Sequence, residues 1–358
     1  MRFSIFDLVH WPHRAEPWDG RRQTQVYREH LEAWQCAEEL GFDAIWLTEH
    51  HFTAYNMLPS PNVMLAALAQ ATTRIKLGAM INAVNFHHPW RLAEEAAMLD
   101  VLSGGRLLLG MGRGADVQEY AKYHQPMTEG RPRFREGLEL IKRAFTEETV
   151  HFAGEFYTID GAALMPRPVQ QPHPPIYLTA VSPETFVWTG QEGYPIASVF
   201  LPPEQTAQVY AIYQAERERA GNPMAPEDFL LARHVYVAET REQAIEEARL
   251  PVLEFFRLFK DAALPQTVEE LDTFPENFRY YTEHWRPLFG EDISYEGLIE
   301  RGVLIVGDAA SVTAEIARQR EIIGFDHLMC QMAFGHLAHE RVMNSLRLFG
   351  EQVMPALR

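Results

Sequence analysis

The amino-acid sequence predicts an α/β protein, a single (β/α)8 barrel, and three features carry that expectation. Eight short apolar runs read as parallel strands covered on both faces, since such strands lack polar alternation. Helical patterns separate them. One local unit, a helix end, a glycine and an immediate strand, also recurs. Glu39-Leu40-Gly41-Phe42-Asp43-Ala44 returns as Ile322-Ile323-Gly324-Phe325-Asp326-His327, and Gln191-Glu192-Gly193-Tyr194-Pro195 is a looser copy.

The expected elements run as follows. Residues 3–9 form the first strand. Leu31, Trp34, Ala37 and Leu40 then make a helical stripe that stops at Gly41, a natural residue for the end of a helix. The second strand, 44–47, runs directly into Thr48-Glu49-His50-His51-Phe52. The third, 75–84, leads through Asn82 to Pro89 into a helix over 89–102. The fourth, 106–111, closes on Gly110-Met111-Gly112-Arg113-Gly114 and precedes a helix over 133–145. The fifth, 175–180, is followed by Ser182 and a helix over 183–192. The sixth spans 195–200, with a helix over 204–220; the seventh is 230–237 and the eighth 327–332. Two stretches exceed a minimal barrel. Residues 146–174 suggest a small strand pair and a proline-rich connector. Residues 255–301 form a long insertion holding Phe274, Phe278, Tyr280, Tyr281 and Trp285, either a lid or a helical packing extension. Strands resume after each, so the whole chain, 1–358, reads as one domain.

Composition narrows the function class. Hydrophobic residues at 47% and charged residues at 23% suit a globular enzyme. The formal net charge of −17 argues against nucleic acid as a partner, because phosphates meet a repulsive field. No apolar run approaches the length of a membrane span, and the first residues carry no signal-peptide core. Cys36 and Cys330 fall in a helical and a strand pattern, which fits buried thiols in a reducing compartment. These features point to a cytoplasmic enzyme.

The chemistry gathers at strand ends, where a barrel places its active site. His50 and His51 would put imidazoles that titrate near neutrality beside a pocket. In Gly110–Gly114 the glycines would let backbone approach a ligand, and Arg113 could fork onto a phosphate. The third glycine comes one residue early for a dinucleotide fingerprint. Ser182-Pro183-Glu184-Thr185 is a strong helix start. A helix N-terminus bearing two hydroxyls is also an anion site, and Arg113 on the neighbouring strand strengthens a phosphate reading. His87 and His88 fit packing and capping. The four histidines do not compose a metal site, since carboxylate ligands are not evidently placed.

Gly41-Phe42-Asp43-Ala44-Ile45-Trp46-Leu47-Thr48-Glu49-His50-His51-Phe52-Thr53 closely resembles the second-strand segment of bacterial luciferase α subunits and luciferase-like flavin monooxygenases. Further similar segments follow in order: Leu77-Gly78, His88 to Glu95, Leu99 to Arg106, Gly110 to Gly114, Pro166 to Gln170, Pro174 to Tyr177, Ser182 to Thr185 and Gly307-Asp308. The resemblance spans nearly the whole chain. It implies an enzyme that uses reduced FMN, delivered by a separate flavin reductase. Reaction with O2 would give a C4a-hydroperoxyflavin that oxygenates a small, largely apolar organic substrate. It implies a phosphate site at Arg113, Ser182 and Thr185, flanked by Gly114 and Val181. A non-prolyl cis peptide at Met80-Ile81, beside Asn82, would lie under the flavin, with His50 catalytic and His51 next to it. It also implies a dimer, homodimeric before heterodimeric, built from the second and third barrel helices. Those helices carry alanine-rich runs around Ala67 and Ala97. Two departures remove any implication of light emission: Gly112 stands for the family's reactive cysteine, and Val181 for an acidic residue. An F420-dependent hydride-transfer enzyme of the same fold is the alternative reading, and a non-catalytic flavin-binding subunit the second alternative. The retained His50, Arg113, Ser182 and Thr185 weigh against the latter.

Overall fold

The computed structural model describes residues 1–11, 19–225, 228–263 and 293–358. Its strands, in chain order, are β1 (Arg2–Asp7), β2 (Ala44–Leu47), β3 (Lys76–Ala83), β4 (Leu107–Gly112), β5 (Val150–Ala153), β6 (Thr158–Ala162), β7 (Ile176–Thr179), β8 (Ile196–Ser198), β9 (Phe229–Val237), β10 (Leu304–Gly307) and β11 (His327–Gln331). Eight of them close a parallel barrel in the order β1-β2-β3-β4-β7-β8-β9-β11. Closure is set by β9, which pairs Phe229 with Ile196 of β8 and Leu230 with His327 of β11; Arg2 of β1 then pairs with His327.

The helices between them include α1 (Gly20–Leu40), α2 (Pro61–Ala71), α3 (Pro89–Ser103), α4 (Val117–Lys122), α5 (Gly130–Thr146), α6 (Pro183–Glu192), α7 (Pro203–Ala220) and α8 (Arg241–Ala263). Strand side chains alternate between two packed layers, as a closed sheet requires. Phe6, Trp46, Met80 and Leu108 fill the lumen, while Ile5, Ile45, Leu77 and Leu109 meet the helices. The recurring helix–glycine–strand unit is real structure. Gly41, Gly193 and Gly324 end their helices at φ of 85°, 78° and 84°, in the left-handed region that a side chain disfavours.

The eight expected strands are the eight barrel strands, with bounds that differ from the expected ones by at most two residues at either end. The largest trim is at β8, which stops at Ser198 because Phe200 adopts φ 62° and turns the chain. The sequence reading omitted β10. Leu304–Gly307 extends the sheet beyond the barrel by pairing with the C-terminal half of β9, Leu304 against His234. Four apolar residues directly before a helix gave no sign that a nine-residue strand would have room for another partner. Residues 146–174 do hold a strand pair, β5 and β6, which are antiparallel. The first residues of the expected insertion, 255–263, continue helix α8. Phe274, Phe278, Tyr280, Tyr281 and Trp285 lie outside the described residues. Among the described residues no helix is long and apolar enough to cross a membrane, and Cys36 and Cys330 are both buried free thiols.

Candidate active site

A cleft opens at the C-terminal ends of the strands, with about 1380 Å³ of empty space counted to where it meets solvent. His50, Met80, Ile81, Arg113, Gly114, Val181 and Thr185 all line it. Three other expected site residues do not. His51 stands behind His50, Asn82 is buried and donates to the Gly110 carbonyl at 3.4 Å, and Ser182 is buried beneath Thr185. The Met80–Ile81 peptide is cis.

Gly110 and Gly112 at the β4 terminus also make room for a neighbouring strand. A Cβ on Gly110 would fall 1.9 Å from the Ala79 carbonyl oxygen, and one on Gly112 would fall 2.5 Å from the Ile81 side chain. They admit the neighbouring strand β3, and so let Met80 and Ile81 reach the cleft floor. Gly112, where the resembling family has cysteine, is therefore filled from the side by Ile81.

One wall is basic. Arg131 pairs with Glu184 at the start of α6, and the Arg135 guanidinium lies 4.8 Å from the centre of the Trp188 ring on the same helix. Asn85 ties this wall to Arg113. Its amide donates to the Arg113 carbonyl at 3.1 Å and to the Gly130 carbonyl at 2.8 Å, joining the end of β4 to the start of α5. Ser182 is the N-cap residue of α6, but its hydroxyl makes no cap bond. It lies 2.9 Å from the Thr185 hydroxyl instead. The two hydroxyls thus support each other at a helix start. Arg131 and Arg135 escaped the sequence reading, although their spacing of four on a helix places them on one face.

Another part of the lining is acidic and aromatic. Asp116 caps α4, its Oδ1 accepting from the Gln118 and Glu119 amides at 2.8 and 3.4 Å. Glu119 Oε1 accepts from His50 Nδ1 at 3.2 Å and from the His51 amide at 2.7 Å. Neither carboxyl was expected here, yet Asp116-Val117-Gln118-Glu119 carries the spacing of a helix start. Phe200, Phe255 and Phe259 continue this wall. Burial opposes a charge on His50, but Glu119 outweighs it and holds the imidazole above its ordinary value.

Glu49 organises the second layer. It is 3% exposed; its Oε1 receives His51 Nε2 at 3.0 Å and His87 Nε2 at 2.8 Å, and its Oε2 receives the Ala83 amide at 3.0 Å. Tyr123 places its hydroxyl 2.9 Å from His51 Nδ1. His87 therefore has an electrostatic task beyond packing, whereas His88 caps α3 through the Trp90 amide at 3.3 Å. Burial alone would raise the Glu49 pKa, but hydrogen bonds from His51 and His87 hold it down to about 2. The contribution to stability is on the order of 3 kcal/mol, from about 1.4 kcal/mol per pH unit. Because the folded pKa lies below the unfolded one, this stability is present above pH 4.5 and lost as pH falls toward 2. Glu49→Gln should flatten that acid limb, as measured by urea unfolding from roughly pH 2 to roughly pH 6, which spans the fall from the unfolded to the folded value. An unchanged limb would place the acid sensitivity elsewhere.

A dianionic phosphate and a flat ring system are compatible with this cleft: three arginines and a hydroxyl on one wall, Met80, Ile81 and Leu178 among the apolar lining. Comparison with known proteins follows the same direction. The family model for luciferase-like monooxygenases matches residues 1–327. The oxygenase component of a flavin-dependent trigonelline monooxygenase from Acinetobacter baylyi is 30% identical over 372 residues, covering 99% of this chain and 95% of the relative. The crystal structure of a monooxygenase from Streptomyces bottropensis superposes with a TM-score of 0.86 at 27% identity, covering 100% of both chains. An F420-dependent tetrahydromethanopterin reductase from Methanopyrus kandleri shares the fold, with a TM-score of 0.71 at 20% identity over 100% of this chain and 99% of that one. The barrel, the cleft at its strand ends and the near-complete family match have one conclusion: the chain belongs to the luciferase-like monooxygenase family.

Proposed function

We propose that this chain is the oxygenase of a two-component, cytoplasmic system. It takes reduced FMN from a separate reductase, together with dioxygen, and oxygenates a small, largely apolar organic substrate. The observation that carries this reading is a single cleft joining an arginine- and hydroxyl-bearing wall to a buffered imidazole, His50. Arg113 and Thr185 would hold the phosphate, with Ser182 supporting Thr185, while Met80, Ile81, Gly114 and Val181 would border the ring. Bound reduced FMN supplies the electrons that activate dioxygen. His50, fixed through Nδ1 by Glu119, keeps Nε2 for proton exchange with the reacting molecule. His51 would act through its neighbours, its amide donating to the Glu119 oxygen that holds His50 and its Nε2 to Glu49. Phe200, Phe255 and Phe259 present apolar surface that favours such a substrate and disfavours water.

Oxygen uptake with purified protein, a reductase and a panel of apolar substrates tests the proposal. Substrate-stimulated uptake with reduced FMN is the expected outcome; its absence across the panel overturns the reading. Deazaflavin F420 rests on shared fold alone, which carries no cofactor preference. Binding titrations with reduced FMN and reduced F420 separate the two.

The active unit is a homodimer in this proposal. Val63 on α2 and Met98, Val101 and Leu102 on α3 are all large, apolar and close to half exposed or more. Apolar exposure of that kind on two neighbouring helices supports a contact surface there. The alanine run that first suggested it divides. Ala67 is exposed, but Ala93, Ala96 and Ala97 are buried in the chain's own core, so Ala97→Arg would damage the fold. Met98→Arg and Ala67→Arg are the informative changes. Each should convert a dimer to a folded monomer in light scattering at micromolar concentration, and a monomeric unmutated protein would sink the idea.

A further inference from the structure

The proposed chemistry uses His50 and the Glu119 carboxylate beside it, and leaves a second buried carboxyl without a task. Asp116 and Glu119 are each 2% exposed, and both line the cleft. One nitrogen of His50 and one oxygen of each carboxyl all lie within 4.8 Å of one another. Two carboxyls that close, out of water, resist carrying two negative charges, so one retains a proton. The partners decide which. Glu119 accepts from His50 Nδ1 and from the His51 amide at 2.7 Å, both contacts that favour its charged form. Asp116 has one short amide contact, 2.8 Å from Gln118, and one long one at 3.4 Å.

We propose that Asp116 is a positioning residue that holds a proton below neutrality and, on releasing it as pH rises through the neutral range, prolongs the imidazolium form of His50. This rests on the reading of His50 as the proton-exchanging group. The proton lost from Asp116 passes to solvent, and the new carboxylate adds a second negative charge beside the ring. Burial first, and then Glu119, push the Asp116 carboxyl up to about 7, so this release falls in the working range of an imidazole. Among the described residues, the other groups around the cluster do not substitute for it. Glu49 carries a fixed charge near His50, and the Tyr55 ring lies 4.9 Å from the imidazole with its hydroxyl pushed well above the ordinary value by burial. Arg113 is the cation at the end of β4. From α8 the neighbouring cleft side chains are Phe255 and Phe259, and the Asp261 carbonyl accepts from Gln118 Nε2 at 3.3 Å.

The test reads His50 directly. Protein labelled with ¹³C at histidine Cε1, without flavin or substrate, is titrated by NMR, and the His50 signal is identified by its loss in His50→Gln. Asp116→Asn keeps a good helix cap but removes the charge. Its His50 midpoint should fall by about one pH unit, the scale expected for a charge at this separation. Asp116→Ala, which also loses the cap, should give the same fall. An unmoved midpoint in Asp116→Asn that retains its circular dichroism overturns the proposal. A fall in the alanine variant alone also overturns it and leaves Asp116 as a cap. Flavin takes no part in the measurement, so failure of the FMN reading in oxygen uptake is a separate result.

Discussion

His50→Ala should slow substrate-coupled oxidation by about 10²–10⁴-fold, the range associated with loss of a positioned acid–base group. Flavin affinity should stay close to that of the unmutated protein, because Arg113 and Thr185, and not His50, carry the phosphate contacts in the proposed arrangement. The side chain of His50 is 25% exposed, enough to meet a bound molecule, while its partner Glu119 is 2% exposed and fixed by the His51 amide. Removing the ring therefore deletes a reactive group and leaves its frame standing. Oxygen should still be consumed but should leave as hydrogen peroxide, so the ratio of product to oxygen falls along with the rate. The pH dependence has a definite sign. Glu119 raises the His50 pKa, so the imidazolium persists above its ordinary range and is lost as pH rises through the folded value. An acid role consequently predicts a falling alkaline limb that the alanine variant lacks. Normal coupling and turnover in the variant would make His50 structural.

The barrel was legible because its signals are local and repeated. A run such as Ala44–Leu47 is apolar throughout since both faces are covered, and Gly41, Gly193 and Gly324 end helices in the same left-handed turn. β10 was not, because its pairing depends on where a neighbouring strand outlasts the barrel, and no local pattern in Leu304–Gly307 encodes that. Of the residues that line the cleft, those in or just past a strand's last residues were read from the sequence: His50, Ile81 and Arg113. Those that converge from separate helices were missed. Glu119 reaches His50 across 69 positions of sequence, and Arg131 reaches Glu184 across 53. The cap spacing at Asp116 and Glu119 was present in the sequence, but it reads first as a helix start, and only the tertiary fold turns the helix start toward a histidine. Asn82 shows the opposite error. It follows the cis peptide in sequence, yet past the register shift between Ala79 and Asn82 it is buried and donates to the Gly110 carbonyl instead of lining the cleft.

Arg113→Ala should weaken binding of reduced FMN by about 1.5–3 kcal/mol, roughly ten- to a hundredfold in Kd, as expected for one charge-assisted contact to phosphate. Two other arginines line the cleft, which raises the question of whether they would compensate. Arg131 is already engaged by Glu184, and the Arg135 guanidinium is packed over Trp188. Moving either toward a phosphate would break a contact in the wall itself, so neither is a ready replacement. The backbone of residue 113 should hold its place in the variant, because its carbonyl receives both the Asn85 amide at 3.1 Å and the Tyr120 hydroxyl at 2.6 Å. The loss should then be confined to the guanidinium. Riboflavin, which has the same ring system but no phosphate, supplies the control. It should bind the variant and the unmutated protein nearly alike, and the FMN preference should shrink by the full factor lost. Raising the ionic strength should narrow the gap between the two proteins for FMN and leave riboflavin unmoved. If riboflavin loses as much affinity as FMN, then Arg113 shapes the cleft rather than clamping phosphate, and the phosphate site must be sought at Arg131 and Arg135.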